Sequence, residues 1–264
     1  MRKAALFLTV AFIGLVPVLA HAADATPAPQ AAAATEAPFT DAQRAEIENI
    51  VKAYLVDKHP EVMAQGLQNL QKREREDAEA KSKAEINNAK DRIYNDPNSP
   101  VGGNPKGDVT VVEFYDFQCG YCKMSEEGVE RLLKEDKNVK FVYKDFPILG
   151  PASTEASKAA VASIKQGKFQ AFHDAMMNKK DHLTSELMFQ TAKDVGIDVE
   201  KLKKDMESDS VKDILNANLK LGQDIGIRGT PMFIIGDNVF PFAMEYDKLK
   251  QTVAEARAAA AKKP

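Results

Sequence analysis

The sequence FYDFQCGYCKM, residues 114–124, decides how this chain is interpreted. It holds Cys119 and Cys122, and the 264 residues contain no other cysteine. Two residues separate these thiols, so a disulfide between them closes almost no loop and restricts the unfolded chain very little. Stapling the fold is therefore a poor explanation of the pair, and a chemical role is a better one.

The segments around the two cysteines form a strand–helix–strand pattern. VTVVEFYDF, residues 109–117, is β-branched and aromatic and contains no breaker, and SEEGVERLLKE follows the cysteines with a helical pattern. VKFVYKDFPIL, residues 139–149, predicts a second strand. A C-x-x-C pair at the turn from a strand into a helix is the thioredoxin-like redox arrangement.

The start of a helix explains why the first thiol would be reactive. Unpaired backbone N–H groups and the positive end of the helix stabilise a thiolate, which is the nucleophilic form, at Cys119. Cys122 lies one turn further on the same face and could attack a mixed disulfide formed at Cys119. Gly120 and Tyr121 stand between them, and we expect both to influence strain and hydrogen bonding at the sulfur and to contribute to substrate binding.

A zinc site and an inert local disulfide are the two other interpretations of the cysteine pair. A zinc site needs about four ligands, whereas the chain offers no third cysteine and the nearest downstream histidine is His173. We therefore predict no metal and no cofactor beyond the redox-active disulfide Cys119–Cys122. An inert local disulfide is the remaining alternative. His173 and His182 fall in a helical stretch, and we expect them at the surface or the edge of the core, without a role.

Thr230 and Pro231 are predicted to contribute to substrate binding. In GIRGTPMFII the proline precedes an apolar strand, where it cannot donate to the ladder and pushes Thr230 into an extended conformation. A cis Thr230–Pro231 bond would turn the backbone of Thr230 outward beside the thiols, where an extended substrate could pair with it. The alternative is an ordinary proline at the start of a strand.

Glu113 is the third candidate, because it interrupts an otherwise apolar strand six residues before Cys119. A buried carboxylate has a raised pKa and can relay protons. The alternative is an edge or solvent-facing glutamate.

The N-terminus predicts export. MRK, an apolar stretch and the triplet Ala20–Ala22 form a cleavable signal peptide over residues 1–22, with an uncleaved membrane anchor as the alternative. Its removal takes away two basic residues and changes the formal charge from −3 to −5. A mildly acidic protein argues against nucleic acid as a partner. The Ala/Pro-rich residues 23–38 are predicted to be a disordered leader.

Residues 39–94 are predicted to form a helical oligomerisation segment. Apolar residues recur at helical spacing as far as Leu70, and a charged stretch of strong helix formers follows. Burial of the stripe against another copy, as a homodimer or homotrimer, is the preferred interpretation, and packing back on the same chain is the alternative. The Pro/Gly/Asn-rich residues 95–108 are interpreted as a linker before residues 109–264.

Three segments together resemble the periplasmic thiol-disulfide oxidoreductases of the DsbA family: GNPKGDVTVVEFYDFQCGYCK, VKFVYKDFPILG and GTPMFIIGD. The resemblance covers about residues 97–258. It implies an α/β protein, namely a thioredoxin-like fold with an inserted helical domain at approximately residues 153–221, preceded by the N-terminal helical segment. By the same resemblance Cys119 matches the nucleophile, Cys122 the resolving thiol, Thr230-Pro231 the cis-proline loop and Glu113 the buried acidic residue.

The sequence also departs from that family. Its dipeptide is Gly-Tyr, where the best-known DsbA oxidases have Pro-His, so their oxidising power does not carry over. The segment 39–94 is similar in placement to the association segments of DsbG-, DsbC- and ScsC-like isomerases.

These observations predict a periplasmic thiol-disulfide interchange enzyme that forms or isomerises disulfides. Its expected partners are unfolded or misoxidised secreted proteins, further copies of itself, and a membrane redox partner of DsbB or DsbD type. The alternatives are an oxidase of the monomeric type, a chaperone-like binding protein with incidental thiols, and a passive surface protein.

Overall fold

The computed structural model describes residues 39–262, which divide into two compact units between Gln65 and Gly66. The predicted signal peptide, residues 1–22, and the predicted leader, residues 23–38, lie outside the described residues. Within residues 39–262, no helix combines the length and the apolar character that crossing a bilayer requires.

The first unit is helical. Helix α1 spans Asp41–Lys52 and begins with the capping box that the sequence indicates: Gln43 N donates to Thr40 Oγ1 at 3.3 Å and Thr40 N donates to Gln43 Oε1 at 2.9 Å. A π-helical turn, Ala53–Lys58, follows, and helix α2 starts at Pro60 and continues to Asn88 across the division. No residue from 39 to 65 is buried.

The second unit is built on a five-stranded mixed sheet. Its strands are β1 (Val101–Gly103), β2 (Val109–Tyr115), β3 (Val139–Asp145), β4 (Met232–Ile235) and β5 (Asn238–Phe240), in the order β1-β3-β2-β4-β5. Strands β2 and β3 are parallel, which confirms the predicted βαβ unit, and the other pairs are antiparallel. Strand β2 is central and almost entirely buried, so its carboxyl end opens on the middle of the sheet edge.

Helices cover both faces of this sheet. They are α3 (Lys90–Tyr94), α4 (Gly120–Glu135), α5 (Pro151–Ser163), α6 (Phe169–Met177), α7 (Ser185–Asp194), α8 (Val199–Met206), α9 (Asp209–Asp224) and α10 (Tyr246–Ala260). Helices α5 to α9 lie between β3 and β4 and form the predicted helical insertion. Because side chains alternate along a strand, Val111 faces a core with α4, α10 and the insertion, and Val112 faces a second core with α3 and α9.

The structure differs from the sequence prediction at residues 86–108. Three apolar residues from the charged part of the predicted helical segment are at most 3% exposed and belong to the second core: Ile86, Ala89 and Ile93. The stretch interpreted as a linker contains β1, which pairs antiparallel with β3. A strand of three residues with two glycines gives almost no sequence signal, so turn-forming residues dominated the prediction. The core around the sheet therefore includes residues that the sequence assigned to the helical segment and to the linker.

Candidate active site

The turn between β2 and α4 places Cys119 at the N-cap of α4. Cys119 has extended backbone dihedrals (φ −72°, ψ 110°), and its Sγ accepts a hydrogen bond from Cys122 N at 3.4 Å. The sulfur thus occupies the place that a serine or aspartate oxygen takes in an ordinary cap, next to unpaired N–H groups at the positive end of the helix. Cys119 as a whole is 6% exposed, whereas Cys122 is 0% exposed.

This environment stabilises the thiolate. A hydrogen bond with the Cys122 side chain is the largest contribution that lowers the pKa of Cys119, to about 6 from an ordinary 9.0, against the opposing effect of desolvation. Thr230 and the backbone N–H groups at the start of α4 lower this pKa further. At neutral pH Cys119 is therefore mainly a thiolate, the form that attacks disulfides.

Cys122 is in the opposite condition. It lies one turn along α4 and is fully buried. Burial raises the pKa of Cys122 far above its ordinary value, and the adjacent Cys119 and the carboxylate of Glu113 raise it further. The two thiols of the C-x-x-C pair are thus chemically distinct: Cys119 is a slightly exposed thiolate, and Cys122 is a fully buried, protonated thiol.

A segment 111 residues further along the chain completes the site. The Thr230–Pro231 peptide bond is cis, and the carbonyl oxygen of Thr230 lies 3.2 Å from Cys119 Sγ, where it accepts a hydrogen bond from the thiol when Cys119 is protonated. Pro231 is buried, whereas Thr230 is partly exposed. The backbone of Thr230 therefore flanks the reactive sulfur.

The dipeptide between the cysteines faces outward. Gly120 is exposed, and a Cβ placed there would meet no atom within 4 Å, so close packing does not demand a glycine. Tyr121 is 65% exposed and lines an apolar groove of about 410 Å³ that starts at Thr230 and Pro231. Met124, on the next turn of α4, and Phe242, before α10, supply its other large side chains.

Glu113 lies in the middle of β2, between Tyr143 of β3 and Phe233 of β4, and is 1% exposed. It is therefore neither an edge nor a solvent-facing residue, which the sequence had left open. Its two carboxyl oxygens have no hydrogen-bond partner among the described residues. Burial raises the pKa of Glu113 well above its ordinary value, and the negative charges of Glu126 and Cys119 add to the effect.

Asp116 organises the loop that presents Cys119. Its buried carboxylate accepts hydrogen bonds from Ser153 Oγ at 2.7 Å and from the backbone N–H groups of Gln118, Ile148 and Leu149 at 2.8, 2.9 and 3.0 Å. Its carbonyl oxygen accepts from Cys119 N at 2.9 Å. One side chain thereby joins the turn before α4 to the loop between β3 and α5.

The expectation for His173 is wrong. His173 is 0% exposed and lies among Tyr115, Phe117 and Tyr143, with ring centroids 4.6 to 5.8 Å from its own. An aromatic cage suits an imidazole that stays neutral, and burial lowers the pKa of His173. His182 is exposed, as expected.

His173 also contacts two acids. Its Nδ1 lies 3.6 Å from Oε1 of buried Glu126 and 3.2 Å from Oδ1 of Asp174, and one donor atom from each of the three lies within 4.8 Å of the others. Burial raises the pKa of Glu126 to about 8, and Asp174 and Glu130 add to this. Within residues 39–262 this cluster is the one group of three metal-type donors. The absence of a metal stays a prediction.

The sequence predicted the residues that contact or adjoin Cys119, but it did not predict roles for Asp116, Glu126 and His173. Cys119, Cys122, Glu113, Thr230 and Pro231 converge on one site, with Tyr121 at its rim. Glu126 carried a signal, since it follows Cys122 by four residues and so shares its face of α4. Asp116 carried a weaker signal, as a polar residue that ends an apolar strand.

A mixed sheet of this order, with a dithiol at the start of the helix that follows its central strand, defines a thioredoxin-like domain. The chain belongs to the family of DSBA-like thioredoxin domains, whose sequence profile matches residues 110–254.

Three known proteins illustrate the similarity. The probable disulfide bond formation protein D of Bacillus anthracis is 31% identical, over 57% of this chain and 75% of its own length. A thioredoxin-like oxidoreductase from Silicibacter pomeroyi DSS-3 is 42% identical, with a TM-score of 0.62 over 64% of this chain and 97% of that one. A linker-deletion variant of Proteus mirabilis ScsC is 28% identical, with a TM-score of 0.64 over 85% of this chain and 100% of that one.

The similarity also extends to parts of larger proteins. The Na(+)/H(+) antiporter NhaA 3 of Salinispora tropica is 26% identical over 62% of this chain, and this chain spans 26% of the antiporter's length.

Proposed function

We propose that this chain is an exported thiol-disulfide oxidoreductase that exchanges disulfides with unfolded protein segments through Cys119 and Cys122. The observation that carries the proposal is the asymmetry of the pair: Cys119 is an N-capping thiolate that keeps a small exposed fraction, and Cys122, one turn further along α4, is a fully buried thiol. The signal peptide predicted from the sequence supports export to the periplasm.

The oxidising reaction takes two steps. A client thiolate attacks Sγ of Cys119 in the Cys119–Cys122 disulfide, the S–S bond breaks, and its electron pair passes to the sulfur of Cys122, which takes a proton. A second client thiolate then attacks the client sulfur of the mixed disulfide and expels Cys119 as a thiolate. The client loses two electrons and gains a disulfide, and the enzyme becomes a dithiol.

Isomerisation uses the reduced pair. The Cys119 thiolate attacks an incorrect client disulfide and releases one client thiolate, which re-attacks elsewhere while the client is still attached. If no productive attack follows, Cys122 displaces the client and leaves the enzyme oxidised. Because the start of α4 stabilises the Cys119 thiolate, this thiolate is a good leaving group in the oxidising reaction and a good nucleophile in isomerisation.

Glu113 is the group that we assign to proton transfer at Cys122. A thiol with a strongly raised pKa must lose its proton to attack, and the site is closed to bulk water. Glu113 interacts electrostatically with both cysteines: Cys119 raises the pKa of Glu113, and Glu113 raises the pKa of Cys122. The carboxyl oxygens of Glu113 have no hydrogen-bond partner among residues 39–262. It can therefore accept the proton from Cys122 and return it in the opposite direction.

A trapping experiment tests the proposal. In Cys122→Ser, a client attached to Cys119 cannot be displaced from within the enzyme, so the mixed disulfides that the Cys119 thiolate forms by attacking the disulfides of scrambled ribonuclease should accumulate. Non-reducing electrophoresis measures them, and the Cys119→Ser/Cys122→Ser double variant is the control. If Cys122→Ser forms no more adducts than the double variant, the proposed function fails.

We further propose that residues 39–65 join copies of this chain. No residue in this range is buried within one chain, and eight of its large apolar residues are at least 41% exposed: Phe39, Ile47, Ile50, Val51, Tyr54, Val56, Val62 and Met63. Short helices without a buried face are marginal in water, so a second or third copy is the occupant that stabilises them. The gathered active sites would then act on one client, which favours isomerase activity.

The association is tested by charge on the apolar stripe. Ile50→Glu with Met63→Glu should reduce the mass in light scattering from that of a dimer or trimer to that of a monomer, because neither carboxylate can be buried between copies. Glu48→Gln, in the same helix, should leave the mass unchanged. A wild-type protein that is already monomeric would contradict the proposal.

A membrane partner of DsbB or DsbD type completes the proposed cycle. An oxidase must be reoxidised and an isomerase must be reduced again. The proportion of oxidised protein in the cell distinguishes these two assignments, because oxidases rest oxidised and isomerases rest reduced.

A further inference from the structure

The apolar groove beside Cys119 ends at a second, polar cavity. This cavity has a volume of about 300 Å³ and shares Met124 and Glu245 with the apolar groove. Glu127, from α4, and Asp247, from the first turn of α10, also line it. We call Glu127, Glu245 and Asp247 the acidic end of the groove.

The backbone brings these carboxylates together from two helices. A Cβ at Gly128 would lie 2.7 Å from Tyr246 N and 3.1 Å from Glu245 C, so only a glycine lets the start of α10 approach α4 this closely. Glu245 therefore lies next to the turn of α4 that carries Glu127. The acidic end is thus a fixed part of the fold and not a chance grouping of loop residues.

The carboxylates of the acidic end are not all neutralised by neighbouring cations. Glu127 and Glu245 form no ion pair within residues 39–262, and both are exposed. The one cation in the cavity wall, Arg131, donates from Nε to Glu135 at 2.8 Å and lies over the Tyr246 ring at 3.8 Å. Lys123, beside the thiols, donates instead to the Lys179 carbonyl at 2.6 Å. Lys250 lies over the Tyr246 ring at 5.5 Å, so Glu135 and the three carboxylates of the acidic end outnumber the two cations beside them.

The spacing predicts which client residue would reach it. Glu127 follows the N-cap Cys119 by eight residues, which corresponds to about 12 Å along a helix. An extended client advances by about 3.3 Å per residue, so this distance corresponds to roughly three or four residues. We propose that the groove prefers client segments with a lysine or arginine three or four positions from the reacting cysteine and apolar side chains between them. This inference rests on the proposed thiol exchange.

Peptide kinetics test the preference. Each peptide carries one cysteine joined by a disulfide to thionitrobenzoate, and the reduced protein releases this coloured thiolate when Cys119 attacks the peptide sulfur. At low ionic strength, peptides with Lys at the fourth position from cysteine should react about fivefold faster than peptides with Glu there. Moving the Lys about ten positions away should remove the advantage, which separates the acidic end from the net charge of the protein.

Two variants locate the effect. Glu127→Gln with Glu245→Gln should bring the rates of the Lys and Glu peptides to within about twofold of each other, whereas Glu186→Gln, an exposed acid on α7, should keep the full preference. Equal rates for Lys and Glu peptides with the wild-type protein would overturn the inference and leave the proposed function intact. Failure of every peptide to release thionitrobenzoate would instead overturn the proposed function.

Discussion

Cys119→Ser is expected to reduce insulin disulfides and to refold reduced or scrambled ribonuclease no faster than the uncatalysed reactions. Serine keeps the size and the capping geometry, but its hydroxyl stays protonated at neutral pH and does not exchange with disulfides. Cys122 cannot substitute for it, because it is fully buried and its pKa is strongly raised. The loss is measured as the rate of insulin precipitation and as the recovery of ribonuclease activity.

The control is Glu186→Gln. It changes an exposed residue of α7 outside the active site, and we expect it to keep the full activity. A Cys119→Ser protein that refolds ribonuclease as well as the wild type would show that the chain acts by binding unfolded clients and that its thiols are incidental.

Asp116→Ala is expected to lower the free energy of unfolding by about 4 kcal/mol. The substitution leaves the backbone N–H groups of Gln118, Ile148 and Leu149 and the buried Ser153 hydroxyl without their acceptor, and it empties the space of a fully buried carboxylate. Urea unfolding of the reduced protein, followed by circular dichroism, measures the change.

An exposed aspartate and a conservative substitution at Asp116 serve as the controls for this prediction. Asp181→Ala removes an exposed aspartate and should change stability by less than about 0.5 kcal/mol. Asp116→Asn keeps one acceptor oxygen but turns an amide toward N–H donors, so its loss should be smaller than that of Asp116→Ala. A cost below about 1 kcal/mol for Asp116→Ala would mean that this carboxylate does not organise the loop.

Much of the fold was predictable because its signals are local. Each of three signals occupies a short stretch of sequence: the β-branched run before the cysteines, the amphipathic helix after them, and the turn at Gly236 that joins β4 to β5. The capping box at Thr40 and the new helix at Pro60 follow from the chemistry of single residues. Even the position of Glu113 was suggestive, because a carboxylate in a central strand conflicts with its neighbours.

What the sequence did not predict depends on contacts between distant segments. The pairing of β1 with β3 supplies the stability that three residues and two glycines lack locally. His173 is buried because aromatic residues of β2, β3 and α6 enclose it, and a histidine in a helix of mixed character does not reveal those neighbours. The acidic end of the groove likewise arises where two helices separated by more than 100 residues meet.

The pH dependence of alkylation at Cys119 tests the central claim most directly. With a pKa of about 6, the rate at which limiting iodoacetamide labels residue 119 should be half-maximal near pH 6 and level above about pH 7. The thiolate is lost as pH falls through that pKa, so labelling should slow only on the acidic side. Fragmentation mass spectrometry separates Cys119 from Cys122. Labelling of Cys119 that keeps rising through about pH 8.5, as for an unperturbed thiol, would contradict the account.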